Sequence, residues 1–171
     1  MRPDPLAAAL FLTAAFVIAG LAHSAWLRTR LSRRLMMPLD GGLRFRGRRV
    51  FGENKTVRGF LVMIPAASLA FAALAAALSV SSHDAIAELW PLSIASYGAL
   101  GAWAGLGFMV GELPNSFVKR QLDISPGSAP RGWAAAVICF VVDRLDSILG
   151  ALIAVSLVVP TPPMMWVYVL L

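Results

Sequence analysis

The chain has 171 residues, 58% of them hydrophobic, with a mean hydropathy of +0.74, which excludes an ordinary soluble domain and fits one compact membrane domain over 1–171. A single cysteine, Cys139, excludes an internal disulfide, and His23 and His83 lie in different segments without zinc-ligand spacing. The net charge of +6 sits in loops with no soluble reading module beside them, so nucleic acid is not an expected partner.

Residues 6–27 form the first apolar run, free of charge. It lacks a basic n-region beyond Arg2 and a clear small-x-small cleavage site, so a retained spanning helix is expected rather than a signal peptide. Ten of the 15 Lys and Arg then fall within 28–58, a long loop rich in Gly and Arg. Within it, Asp40 before Gly41 and Gly42 reads equally well as a loop-shaping group or a plain Asp-Gly turn. The segment 51–59, FGENKTVRG, places Lys55 and Arg58 three residues apart with Asn54 and Thr56 between and before them. Phosphates favour this mixture of point charge, guanidinium fork and close backbone approach at glycine. A basic cluster serving only membrane topology would have the same spacing.

A second span is predicted over 60–81, with Pro65 near one end, and a third over 91–112. The connector between them, with His83, Asp84 and Glu88, has no Lys or Arg. By the positive-inside rule the 28–58 and 113–131 loops are cytoplasmic and the 81–90 loop is outside. The third segment carries GxxxG spacing at Gly101/Gly105 and again at Gly107/Gly111. Such spacing predicts close helix packing, and bare backbone would also leave room for a ligand. Pro114 is expected to break or bend the chain before a short amphipathic piece, 116–122, which sets Ser116 on a face with Lys119 and Arg120.

The run 133–159 is long enough to cross a bilayer but contains Asp143, Arg144 and Asp146. An ionisable group at mid-span costs about 2.5–3.5 kcal/mol on the insertion scale, so such groups face a polar cavity, pair, or hold a cation. At i and i+3 the two aspartates project from one helix face, with Cys139, Ser147 and Gly150 leaving space beside them. Arg144, adjacent to Asp143, needs a partner elsewhere, and Glu112 is a candidate. Prolines 160, 162 and 163 close this helix. The last eight residues from Met164 span only about 12 Å as helix and are expected to be re-entrant or interfacial.

The expected fold is therefore all-α, a polytopic membrane helix bundle with four full spans plus a short C-terminal segment. It would sit in the cell inner membrane with its active-site loops facing the cytoplasm. Paired carboxylates below the surface suit Mg²⁺, commonly held by one or two carboxylates plus substrate phosphates. With two basic loops above them, the inventory suits metal-assisted phosphoryl or nucleotidyl transfer onto a membrane-resident substrate. A small transporter or a non-catalytic membrane subunit is the alternative, since buried carboxylates also serve proton relays. A proton path would not need the basic motifs.

The pattern Ser116-x-x-Lys119-Arg120, then Pro126-Gly127, then Asp143-Arg144-x-Asp146 resembles the signature of the phosphatidate cytidylyltransferase (CDP-diglyceride synthase) superfamily. PLDGG at 38–42 and GRRVFGENKTVRGF from Gly47 look more like its small branch, the CDP-archaeol synthases. The resemblance spans roughly residues 35–160. It implies the reaction CTP + lipid phosphate → CDP-lipid + pyrophosphate with Mg²⁺, the lipid being phosphatidate-like or an ether-lipid phosphate. Asp143 and Asp146, with Glu112 where the branch often has Asp, would hold the metal. Lys55, Arg58, Lys119 and Arg120 would neutralise phosphate charge, and Asn54, Thr56 and Ser116 would add hydrogen bonds. The branch continues past the position of Leu171, leaving two alternatives: an incomplete site, or a wall supplied by a neighbouring copy in a homo-oligomer. A CDP-alcohol phosphotransferase would need a second close carboxylate pair, which the sequence does not contain.

Overall fold

Asp4 starts the first helix by accepting the Leu6 and Ala7 amides at 3.0 and 2.8 Å, ahead of Pro5 at the first helical position. In the computed structural model, which describes residues 2–81, 83–125, 128 and 132–171, this helix, α1, runs Pro5–Leu27. There follow α2 (Arg30–Arg34), a two-stranded hairpin of β1 (Arg44–Phe45) and β2 (Arg48–Arg49), α3 (Val57–Ser81), the short α4 (His83–Ala87), α5 (Ile94–Gln121), α6 (Trp133–Ser156) and α7 (Pro163–Leu170). Pro126, Gly127 and Arg131 lie outside the described residues.

The chain is predominantly helical. Among the described residues α1, α3 and α5 are long and apolar enough to cross a membrane. At 24 residues α6 has the length as well, with Asp143, Arg144 and Asp146 inside it. Large apolar side chains such as Leu10, Leu21, Leu69 and Ile153 point outward, as a lipid-facing surface requires. The interior is built instead from alanines and a few aromatic rings: Phe11 meets Phe71 edge-on at 5.4 Å, and Phe16 stacks on Phe108 at 5.3 Å.

Central to the bundle is α5, which packs on α3 along one side and on α6 along the other, while α1 lies against α3 and α7. The two GxxxG pairs divide this labour. A Cβ at Gly101 would lie 2.7 Å from the Phe71 Cβ, and one at Gly105 2.9 Å from the Ala67 Cβ, so this pair seats α3. A Cβ at Gly107 would strike Ala154 and Gly150, and one at Gly111 would lie 2.9 Å from the Gly150 Cα, so that pair seats α6. Close packing is thus what these glycines do; the space they vacate is filled by neighbouring helices, not left for a ligand.

One sequence expectation changes here. The third helix does not stop near residue 112: α5 continues through Pro114 to Gln121, 28 residues in all. A proline removes one backbone bond, and its ring crowds the preceding turn. Packed transmembrane helices tolerate this because neighbours satisfy the freed groups. The polar segment after Pro114 is therefore a direct extension of the helix that carries the glycines. The C-terminal segment forms the eight-residue α7, with Met165 fully buried, laid against α1. At that end of the bundle the Trp90 indole donates to Pro160 O at 2.8 Å, and the Tyr97 hydroxyl donates to Trp90 O at 2.7 Å.

Candidate active site

With α5 unbroken, Glu112, Asn115, Ser116 and Lys119 fall at i, i+3, i+4 and i+7 and form one polar stripe. The Gly111–Gly150 contact holds α6 so close that Asp143 and Asp146 face this stripe. One atom fixes the juxtaposition: the Asn115 Nδ2 donates to Asp143 Oδ1 at 2.6 Å and to Asp146 Oδ2 at 2.8 Å. Lys119 pairs with Asp143, Lys55 pairs with Glu112, and the Ser147 hydroxyl donates to Glu112 Oε1 at 2.8 Å.

Apart from Ser147, these groups line a polar cleft of about 260 Å³ whose remaining walls are Phe51, Asn54 and Arg120. Three carboxylates meet three cations there, but the matching is incomplete. Among the described residues Asp146 takes part in no ion pair, while Arg120 has Nε and Nη1 buried without a partner. A cleft with one carboxylate and one guanidinium left over can accept a ligand of mixed charge, such as a metal-bound polyphosphate.

The third wall is the 37–57 loop. Its ends close on each other through Leu39 N to Lys55 O at 2.8 Å and Val57 N to Met37 O at 2.9 Å. Its centre is Asp40, 3% exposed, which accepts from Gly42 N at 3.0 Å, from Phe51 N and Gly52 N at 3.1 Å, and from Arg49. Burial on its own would push the Asp40 carboxyl up; the Arg49 guanidinium and the three amides outweigh it and hold the group well below the usual carboxylate range. Gly41 and Gly42 take φ of 53° and 88°, conformations natural to glycine. The turn thereby delivers Asn54 and Lys55 to the cleft.

Of the residues singled out from sequence, Asn54, Lys55, Glu112, Ser116, Lys119, Arg120, Asp143 and Asp146 converge on this cleft. Thr56 and Arg58 lie outside it. Thr56 bridges to Pro38, and Arg58, in the first turn of α3, reaches Ser32 Oγ at 3.4 Å. Arg144 does not pair with Glu112, whose carboxylate is taken by Lys55 and Ser147; its guanidinium lies 4.4 Å from the Phe140 ring centroid instead. Asn115 escaped the sequence reading. The signal for it was present, since it shares the helical stripe of Glu112 and Lys119 once Pro114 is not taken as a break.

Among the described residues no three His, Cys, Asp or Glu side chains gather as a ready-made cage. The donor set nevertheless suits Mg²⁺, which takes oxygen ligands and needs only one or two carboxylates when substrate phosphates complete its shell. Asp143 and Asp146 present oxygens to a common point, where the Asn115 nitrogen now sits.

Beside the cleft runs an apolar groove of about 390 Å³ between α1, α6 and α7, lined by Leu12, Phe16, Val17, Ile148, Leu152, Val155 and Val169. Its polar end is made by Asp143, Arg144 and Ser147. Asp143 therefore borders both cavities.

A family model described as CarS-like, CDP-archaeol synthase, matches residues 36–171. The CDP-archaeol synthase of Halobacterium salinarum is 37% identical over 123 residues, covering 72% of this chain and 61% of that protein. That of Methanococcoides burtonii is 31% identical over 131 residues, covering 72% and 67%, and that of Thermofilum pendens is 30% identical over 154 residues, covering 90% and 63%. The chain thus spans about three fifths of the length of the Halobacterium protein. A solved structure of an intramembrane enzyme for archaeal membrane lipids biosynthesis superimposes with a TM-score of 0.62 at 26% identity, covering 99% of this chain and 89% of that one. On these grounds the chain is a multi-pass membrane protein and belongs to the CarS-like, CDP-archaeol synthase family.

Proposed function

We propose that this chain transfers the cytidylyl group of CTP to a membrane lipid phosphate, an ether-lipid phosphate above all, giving CDP-lipid and pyrophosphate. The observation that carries the reading is the sharing of Asp143 between a polar cleft and an apolar groove. Such a junction lets a water-soluble nucleotide and a lipid meet at one carboxylate. The names of the relatives support the substrate pair.

In this reading α6 is the fourth full span, and the polar cleft opens to the cytoplasm from the cell inner membrane. A homo-oligomer remains compatible with the chain. The lipid tails lie in the groove, and the phosphate oxygen, already anionic, attacks the α-phosphorus without a strong general base. Its new bond forms as the bond from the α-phosphorus to the bridging oxygen breaks, and the electron pair leaves on pyrophosphate. Lys55, Lys119 and Arg120 balance the phosphate charge at fixed positions, so little reorganisation is needed when charge shifts to the leaving group. Asn54 and Ser116 add hydrogen bonds to the phosphates. Asp143 and Asp146 would hold Mg²⁺, which would supply Lewis-acid polarisation of the phosphate oxygens. The Asn115 amide, which donates to an oxygen of each, would then have to turn aside. The transporter alternative draws no support from a cleft with cations from two separate elements.

The test is CTP turnover by purified protein in detergent, comparing phosphatidate with an ether-linked lipid phosphate, with and without Mg²⁺. Asp143→Asn and Asp146→Asn should each lower turnover by about 10³-fold or more while expression and helicity persist. Wild-type turnover in either variant removes that residue from the metal site, and no turnover by the parent protein removes the reading.

A further inference from the structure

Arg120 borders not one cavity but two. It also lines a second cleft, about 460 Å³, between the β1–β2 hairpin and the end of α5. Arg44, Arg48 and Arg49 line it with Arg120, against Glu53 and Asp123 as the only acids among its described lining residues. None of the three carboxylates of the nucleotide cleft reaches it.

This cleft is constructed rather than incidental. The hairpin turns at Arg46 and Gly47, whose φ of 52° and 80° fit the two central positions of a type I′ turn. Arg48 then fastens the hairpin to the end of α5 through Asp123 and the Gln121 carbonyl. Arg49 is tied to Asp40 and Glu53. Arg44 makes no ion pair among the described residues and stands exposed at the mouth. Arg120, at the junction, has two buried nitrogens without an acceptor. The wall between the clefts is one short stretch of loop: Phe51 and Asn54 face the nucleotide side, Gly52 and Glu53 the basic side.

We propose that the basic cleft is a second phosphate site, which takes pyrophosphate as it leaves the nucleotide cleft. The inference rests on the cytidylyl-transfer reading, since that reaction is what releases pyrophosphate. Once the bond from the α-phosphorus to the bridging oxygen has broken, the leaving group is a multiply charged anion beside Lys55 and Lys119, which hold it. Arg120 offers its unpartnered N–H groups on the way out. Arg44 provides a free guanidinium fork, which matches phosphate oxygens in pairs, beyond it, while Arg48 and Arg49, paired with acids, fix the cleft's wall. Handing the anion from one cationic wall to the next lets it depart without passing the groove that holds the lipid.

The experiment uses the full chain in a nonionic detergent at fixed Mg²⁺ and reads pyrophosphate affinity twice, by calorimetry and by product inhibition against CTP. Arg44→Gln, on an exposed strand, should weaken pyrophosphate about tenfold by both measures, and Arg44→Lys by less than about threefold. CTP affinity should stay within about twofold in both variants. An unchanged pyrophosphate affinity in Arg44→Gln overturns the proposal, and so does an equal loss for CTP, which would make the two clefts a single nucleotide site. Adding anionic phosphatidylglycerol should leave pyrophosphate bound; displacement would identify the cleft as a headgroup contact and overturn the free-anion assignment. Absence of CTP turnover in the parent protein is a separate failure, of the reaction itself, and would remove pyrophosphate as the occupant.

Discussion

Asp40 and Asp146 are both held by nitrogen donors, yet the donors leave them in opposite conditions. Asp40 is enclosed: three backbone amides and Arg49 occupy its oxygens, and 3% of the residue is exposed. Nothing is left over for a ligand, and the result is a fixed loop. Asp146 is half-buried and accepts at Oδ1 from Ser147 N and Oγ, but its Oδ2 is bridged to Asp143 by a single side-chain amide, and it has no cationic partner among the described residues. A side-chain amide can rotate away; a backbone amide inside a closed turn cannot. The contrast separates an anchor from a binding group by the replaceability of the partners rather than by charge or burial alone.

On that distinction substitutions split by what they damage, and outside the Asp143–Asp146 pair the broadest effect, on both folding of the loop and turnover, is expected at the anchor. Asp40→Asn removes the charge opposite Arg49 and leaves at least one buried amide without a good acceptor, costing about 1–3 kcal/mol of loop stability for each such group. The hairpin it secures is rich in arginine, so limited trypsin digestion reads the change directly. Cleavage at Arg44–Arg49 should accelerate by about tenfold or more, since proteolysis tracks the population of the opened form. Turnover falls with it, because Asn54 and Lys55 ride on the same loop. An unchanged digestion rate would show that the loop is held by something else.

A smaller and more selective effect is expected at Lys55→Ala. Here the loop stays closed, since its backbone bonds to Leu39 and Met37 do not involve the side chain. One charge-assisted contact to phosphate is lost, worth about 1.5–3 kcal/mol, so the KM for CTP should rise about tenfold or more. Trypsin digestion of the hairpin should match wild type. A variant that digests faster without a change in KM would place Lys55 with the anchor instead of the cleft.

The same contrast explains what could be read from the sequence. Charged residues inside an apolar run are conspicuous, so Asp143, Asp146 and the two lysines were legible as one site although they come from three elements. Residue spacing was less informative across an element boundary. Lys55 precedes α3 and Arg58 falls in its first turn, and the start of the helix sends the two side chains apart. Asn115 was hidden by its neighbour, because a proline ordinarily marks a helix end, whereas packing against α3 and α6 carries α5 through it. Asp40 was ambiguous for another reason. A turn aspartate and a loop-organising aspartate have the same local sequence, and only the distant amides of Phe51 and Gly52 tell them apart. The candidate partner that sequence offered for Arg144 is not the one it finds, since a charge beside a membrane face can rest on an aromatic ring as well as on an acid.

The smallest expected effect, and the sharpest on the anchor, is its response to acid. The folded Asp40 carboxyl titrates well below the unfolded value of about 3.9, because Arg49 and the amides outweigh the cost of burial. A depressed value means that the charged form belongs to the folded loop. Its contribution is complete above about pH 4 and is lost progressively as the pH falls from there toward the folded value. Hydrogen exchange at the Phe51 and Gly52 amides, corrected for intrinsic rates, should therefore show protection that is level from pH 7 down to about pH 4 and declines below it. In Asp40→Asn the same amides should be less protected throughout and should show no such decline, because the neutral amide side chain does not titrate. Equal acid sensitivity in both proteins would mean that another group governs the loop, and the enclosed carboxylate would then no longer explain why this turn is fixed while the cleft beside it stays open to a ligand.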